Sequence, residues 1–278
     1  MIRYLGIFIF LFTTFCSTSA FSFENPKTNA VPGGIFIAPL PASKTRPVVH
    51  YGNKRVMVVK DDDQWWAIFG IPLAAKPGNH HLTVQGEDNI KRKLGFYIND
   101  KTYESQHITL KNKRMVNPEK RDMKRILREQ KEIRSALANW DDRTPNTMHF
   151  ELPVSAPMSS RFGLRRFFNE QPRNPHSGLD LAAPAGTDIH APAAGIVSTT
   201  GDYYFNGKTV FIDHGQGLVT MYCHLSEIDV KPGQSVKTGD TIGAVGKTGR
   251  VTGAHLHWSV SLNNTRVDPE LLIFRPEH

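Results

Sequence analysis

The sequence predicts a mainly β protein in two units: a small Ig-like β-sandwich, a linking α-helix and a C-terminal antiparallel β domain. Three observations predict it. Short apolar runs recur about every ten residues from Ile35 to Leu110, with turn residues between them. Between Asn117 and Trp140 the apolar residues recur at three- and four-residue intervals instead, the period of a helix. From Met148 onward glycine and proline are frequent, the apolar runs are short, and no helical stretch is evident.

Of the 278 residues, 39% are hydrophobic and 22% charged, a balance that excludes a disordered chain. Residues 1–20 have the order of a secretory signal: Arg3, an apolar run from Tyr4 to Phe15, then Ser17, Thr18, Ser19 and Ala20. That run is too short to cross a bilayer comfortably, so no stable membrane span is expected after its removal. Removal leaves Cys223 as the lone thiol and excludes an internal disulfide. The net charge of +8, in an exported protein, suits anionic envelope material better than nucleic acid.

The accessory sandwich is expected over 21–114. Its seven candidate strands are 34–38, 47–51, 55–59, 65–69, 80–84, 94–98 and 107–110, with turn signals at Gly52-Asn53 and Pro77-Gly78. His80 and His81 are adjacent, and a strand points neighbours to opposite faces, a poor arrangement for a shared metal. A helical linker is expected over 115–143, with Asn117 as its cap and Pro118 in its first position. Met123, Ile126, Leu127, Ile133, Leu137 and Trp140 form its apolar stripe.

The final unit, 144–278, offers strands at 178–182, 195–199, 208–213, 218–224, 241–245 and 256–262. In 218–224, alternation groups Cys223 with Met221 and Val219, and His224 with Tyr222 and Thr220. Cys223 therefore reads as a small buried hydrophobe. His190 and His214 read as local structural hydrogen-bonders.

His176, Asp180, His255 and His257 carry most of the chemical information. They sit in H-S-G-L-D (176–180) and H-L-H-W (255–258). Imidazoles with one carboxylate suit a catalytic zinc, which takes three protein ligands and keeps one position for water. Extended chain places His255 and His257 on one face, and His176 and Asp180 likewise. Two other motifs fail. A-V-G-K-T-G (244–249) lacks the first glycine of a phosphate-binding loop, Thr241 standing there, and no G-x-S-x-G elbow occurs.

The segments H-S-G-L-D-L-A-A-P-A-G-T, I-D-H-G-Q-G-L-V-T-M-Y-C-H-L-S and T-G-R-V-T-G-A-H-L-H-W closely resemble the lysostaphin-type (LytM-like) zinc metallopeptidases of peptidoglycan. S-R-F-G (160–163) and V-D-P (267–269) match as well, so the resemblance spans roughly Ser159 to Leu272. The sandwich and helix resemble the accessory region of Gram-negative members. Carried onto this sequence, the resemblance implies one zinc ion per chain held by His176, Asp180 and His257, with His224 and His255 as unligated catalytic histidines. Ala254 and Cys223 stand where proline and alanine are common, and neither touches a ligand position.

The implied activity is hydrolysis of peptide cross-links between peptidoglycan stem peptides, at D-amino-acid bonds, in a Gram-negative periplasm. Cleavage of glycyl-glycine bonds is the enzymatic alternative, and a non-catalytic activator or scaffold for other wall hydrolases the alternative of another class. The loops carrying Phe167, Phe168, Tyr203 and Tyr204 are expected to wall the substrate groove. For the sandwich, two roles are open: covering the groove, or docking a regulatory protein partner.

Overall fold

A computed structural model describes residues 26–273, so the expected signal at 1–20 lies outside the described residues. The N-terminal unit is two small antiparallel sheets. Strands Ile35–Pro39, Gln64–Gly70 and Met57–Asp61 make one; Lys54–Arg55, Val48–Tyr51, Gly78–Gln85 and Lys91–Ile98 make the other. The expected strand 55–59 is divided between them. The chain changes sheets at Val56, whose N–H donates to the Val49 carbonyl at 2.9 Å. Ala38, Val58, Ala67 and Phe69 from one sheet and Val49, Leu82, Val84 and Phe96 from the other close a shared core.

The first sheet is apolar on both faces. Ile35, Met57, Val59 and Ile68 point away from the sandwich and join the core of the C-terminal domain with Val260, Leu262 and Val267. Each such side chain contributes about 1.5–3 kcal/mol on full burial, so four of them bind the two units firmly. Backbone groups at this junction are satisfied by side chains: Gln216 accepts from the Val58 N–H at 3.0 Å, and Asn263 from the Gly70 N–H at 2.6 Å. The last strand before the linker, Ser105–Ile108, leaves the sandwich altogether. It pairs in parallel with Arg165–Phe168.

The helical region departs from expectation at its start and on its buried face. Asn117 caps the end of a short helix, Lys113–Val116, instead of opening the long one. The long helix runs Lys120–Leu137, with Glu119 at its N-cap and Asp122 completing a capping box. Ile126 and Leu137 are buried, but Met123 and Leu127 are exposed, and Asp122 and Glu129 take the inward positions. Their pairing explains this. Asp122 accepts from the Arg114 guanidinium and from the Tyr204 hydroxyl at 3.2 Å. Glu129 accepts from Arg125 and from the Tyr204 N–H at 2.7 Å. Charge-assisted hydrogen bonds to a fixed partner outweigh burial of two methionine- or leucine-sized side chains here. The Arg114 guanidinium holds the Asp122 carboxyl well below its usual range. The helix thus packs on the C-terminal sheet, Leu137 against Tyr203, Phe211, Val219, Met221 and Cys223.

A ten-stranded sheet organises the C-terminal domain. Its central path runs Gly195–Tyr203, Gly207–Gly215, Leu218–Ile228, Leu256–Leu262, Leu179–Leu181 and Met158–Ser160. The apart-from-helix expectation is met except for a 3-10 turn at Pro269–Leu271. His214 and His190 make local contacts, the former with the Ala194 carbonyl at 2.8 Å and the Thr220 hydroxyl at 2.9 Å. No helix among the described residues is long and apolar enough to cross a membrane.

Candidate metal centre and active site

Cross-strand register builds the site. Leu179, Trp258 and Tyr222 lie opposite one another on three adjacent strands; so do Asp180, His257 and Cys223. Opposed residues share a face. The first row enters the apolar core. The second, one residue along, faces a cavity of ≈ 430 Å³ whose wall includes Cys223 and His257.

His224 reaches this face through a local irregularity. Strict alternation would send it inward beside Tyr222, as the sequence suggests. The register with Gly207–Gly215 shifts between Lys208 and Val210, and His224 adopts φ +70°. Cys223 and His224 then both line the cavity while Tyr222 and Leu225 both enter the core. A bulge re-aims a side chain in this way. A non-glycine residue in left-handed backbone costs energy that the surrounding contacts must offset. One is the His224 N–H bond to the Asn206 carbonyl at 2.8 Å.

His176 arrives from the loop before Leu179–Leu181. Gly178 permits its approach: a Cβ there would lie 2.4 Å from the Trp258 carbonyl oxygen and 2.9 Å from His257 Cε1. His176 Nε2 then stands 3.0 Å from Asp180 Oδ1 and 3.0 Å from His257 Nδ1, and His257 Nδ1 stands 2.7 Å from Asp180 Oδ1. These three residues form one group whose ligand atoms all lie within 4.8 Å of each other.

The outer hydrogen bonds fix the tautomers. His176 Nδ1–H donates to the Arg161 carbonyl at 2.7 Å. His257 Nε2–H donates to Ser259 Oγ at 2.9 Å, because the Ser259 hydroxyl itself donates to the Ser177 carbonyl. Both inward nitrogens are therefore bare lone pairs, and Asp180 Oδ1 is a third acceptor. Three acceptors facing one another with no proton among them repel unless a cation lies between. The donor set fits a metal held by two nitrogens and an oxygen. Asp180 Oδ2 is occupied separately, accepting from Arg166 Nη2 at 2.7 Å.

The electrostatics agree. Burial alone would raise Asp180, but its two neighbouring imidazoles, His176 and His257, hold it well below the carboxylate range. Burial pushes His257 down to about 4. Burial, reinforced by His257 and His255, pushes His224 down to about 3. These imidazoles are neutral at physiological pH.

His224 and His255 stand beside the trio. Their rings are 4.9 Å apart, and His255 Nε2 is 3.9 Å from Asp180 Oδ1. Each is anchored through Nδ1, His224 on the Thr248 carbonyl at 2.9 Å and His255 on the Gly253 carbonyl at 3.0 Å. Of the four aromatic residues expected on the groove, Phe168 and Tyr203 line the cavity. Phe167 stacks on His107 with ring centroids 4.7 Å apart, and Tyr204 binds Asp122. Arg166, Arg173 and Arg250 also line the cavity and were not singled out by spacing. For Arg166 the available signal is its place beside Phe167 in R-R-F-F; Arg250, in T-G-R-V, has no aromatic neighbour in sequence.

Comparison with known proteins places this geometry. The family model described as peptidase family M23 matches residues 174–269, and that of the peptidase family M23 N-terminal domain matches residues 28–101. A candidate peptidase M23 from Pseudomonas aeruginosa, known from its crystal structure, is similar at 43% identity and TM-score 0.76, over 88% of this chain and 96% of that one. The peptidoglycan DD-endopeptidase ShyA of Vibrio cholerae is 42% identical over 112 residues, 40% of this chain and 26% of ShyA. The DD-carboxypeptidase/endopeptidase Mpg of Neisseria meningitidis is 40% identical over 112 residues, 40% of this chain and 26% of Mpg. The matched stretch thus spans about a quarter of the length of these curated relatives.

Proposed function

Because the chain belongs to peptidase family M23, we propose that it is a zinc-dependent D,D-endopeptidase that hydrolyses peptide cross-links of peptidoglycan in a Gram-negative periplasm. The observation that carries this reading is the convergence of three proton-free acceptor atoms, His176 Nε2, Asp180 Oδ1 and His257 Nδ1, beside two further histidines. The two similar curated proteins named for DD-endopeptidase activity support the bond class.

His176, Asp180 and His257 would hold the ion. Bound zinc would supply Lewis acidity, polarising the scissile carbonyl and lowering the pKa of water from about 15.7 to near 7. The chain's own residues do the rest. His224 and His255, each tied to a backbone carbonyl through Nδ1, keep Nε2 for the reaction. One Nε2 accepts the proton of the attacking water, and the pair stabilises the negative charge that grows on the carbonyl oxygen. Arg166 fixes the Asp180 carboxylate through Oδ2, leaving Oδ1 facing His176 Nε2 and His257 Nδ1.

The test is metal content and digestion of purified wall by the mature protein. About one zinc per chain is expected, with chelation abolishing the release of cross-linked peptides. Protein that carries zinc yet releases no peptide from any wall would overturn the enzymatic reading in favour of a scaffold.

A further inference from the structure

Arg250 lies half-buried on the cavity wall shared by His176, His224 and His257. Its guanidinium packs on two aromatic rings, 4.3 Å from the centroid of Phe205 and 4.7 Å from that of Phe168. Among the described residues its hydrogen bonding is limited to one long contact, Nη1 to the Met115 carbonyl at 3.5 Å, and it has no ion pair. A guanidinium carries five N–H donors, so most of its capacity is unused.

The neighbouring cations differ. Arg166 is engaged by Asp180, Ser160 and Gln106. Arg173 donates to the carbonyls of Val116 and Pro172 and to Asn117 and Gln171. Glu129 is the acidic residue lining the cavity among the described residues, and it is already bound to Arg125 and the Tyr204 N–H. Burial, with repulsion from Arg166 and Arg173, draws Arg250 down to about 10, which leaves it charged at neutral pH. A partly desolvated charge without a counter-ion is costly. Its complement is an anion that enters the cavity, and a planar fork held on aromatic rings matches a carboxylate.

We propose that Arg250 is a specificity-determining anchor for a substrate carboxylate beside the scissile amide. A cross-link made on an amine whose own carbon also bears a carboxylate places that acid beside the scissile amide. This rests on the endopeptidase reading above. Arg250 donates paired N–H bonds to the carboxylate oxygens and disfavours the amidated form, which offers no negative charge.

A cross-linked stem-peptide dimer with that carboxylate free, and its amidated counterpart, are compared on the parent, Arg250→Gln and Arg250→Lys. The parent should prefer the acid by about 10- to 100-fold in kcat/KM, the range of a hydrogen bond to a charged group. Arg250→Gln should abolish the preference, and Arg250→Lys should keep only part of it, having charge without the fork. Equal slowing of both substrates with a lowered Tm would make Arg250 a brace for Met115 and overturn the inference. Calorimetric binding of both dimers to the metal-free full chain separates this from the reaction. A binding preference lost in Arg250→Gln, with no turnover by the parent, sinks the endopeptidase reading and keeps the anchor. Equal binding of the acid and the amide by the parent overturns the anchor whatever the turnover.

Discussion

Two pairs of histidines lie in or beside strands in this molecule, His80 and His81 within one and His255 just ahead of the strand that carries His257. In the sandwich, His80 and His81 stand opposite Phe96 and Gly95. In the large sheet, His257 stands opposite Asp180 on one side and Cys223 on the other, with His255 two residues before it. The first pair splits across the sheet. His80 contacts the Tyr51 hydroxyl at 3.1 Å and the Lys76 carbonyl at 2.8 Å, and His81 is exposed. The second is surrounded by acceptors, with its proton fixed outward. A histidine in a β-sheet becomes a candidate ligand through its cross-strand row and its outer hydrogen bond, and spacing alone supplies neither.

The largest test of that contrast is to remove one member from each pair. His257→Ala should lose zinc and essentially all wall hydrolysis, measured by metal analysis and product release, with the fold retained by circular dichroism. His80→Ala and His81→Ala should retain both. Loss of zinc in either sandwich variant would break the comparison.

Glycines sharpen it next. Gly178→Ala drives a Cβ into the Trp258 carbonyl and the His257 ring, and should cost about 3 kcal/mol in urea unfolding, the upper range for forced overpacking. Gly95→Ala in the sandwich places its Cβ no nearer than 3.9 Å to the His80 carbonyl and should change stability by about 0.5 kcal/mol or less.

A buried histidine outside the group of His176, Asp180 and His257 predicts a pH effect of similar size. Burial pushes His214 from its ordinary 6.5 down to about 4. The unfolded chain therefore binds the extra proton first. Stability is unaffected above pH 6.5, falls as pH drops from 6.5 to 4, and levels below, by on the order of 3 kcal/mol in all. His214→Gln should flatten that part of the profile; an unchanged slope would show that His214 is not its source.

The smallest effect concerns Arg166. Arg166→Met should weaken zinc binding by about 10- to 100-fold in a chelator competition, since the Arg166 guanidinium orients Asp180 by donating to Oδ2. Unchanged affinity would show that Asp180 keeps its orientation without Arg166.

Much of this was legible in the sequence, for definable reasons. The strands follow from period-two patterns, and the grouping of His176, Asp180 and His257 from residue types joined to a family resemblance. What escaped depends on contacts between distant residues. No local pattern announces that Asp122 and Glu129 turn inward, because the reason is Arg114, Arg125 and Tyr204. The bulge that turns His224 toward His257 is set by pairing with Lys208 and Val210. Arg250 has no signature until Phe168 and Phe205 are brought to it.

The parallel pairing of Ser105–Ile108 with Arg165–Phe168 bears on any attempt to dissect the protein. Gln106, carried by that pairing, accepts from Arg166 Nε at 3.1 Å. Excising everything before Thr144 strips a hydrogen-bonding partner from Arg165–Phe168 and bares the greasy patch that met Ile35, Met57, Val59 and Ile68. Such a fragment has a sticky margin and a loosened guanidinium at once. Its inactivity would report clumping or a slack ligand as readily as any regulation, so point changes in the intact chain are the sounder dissection.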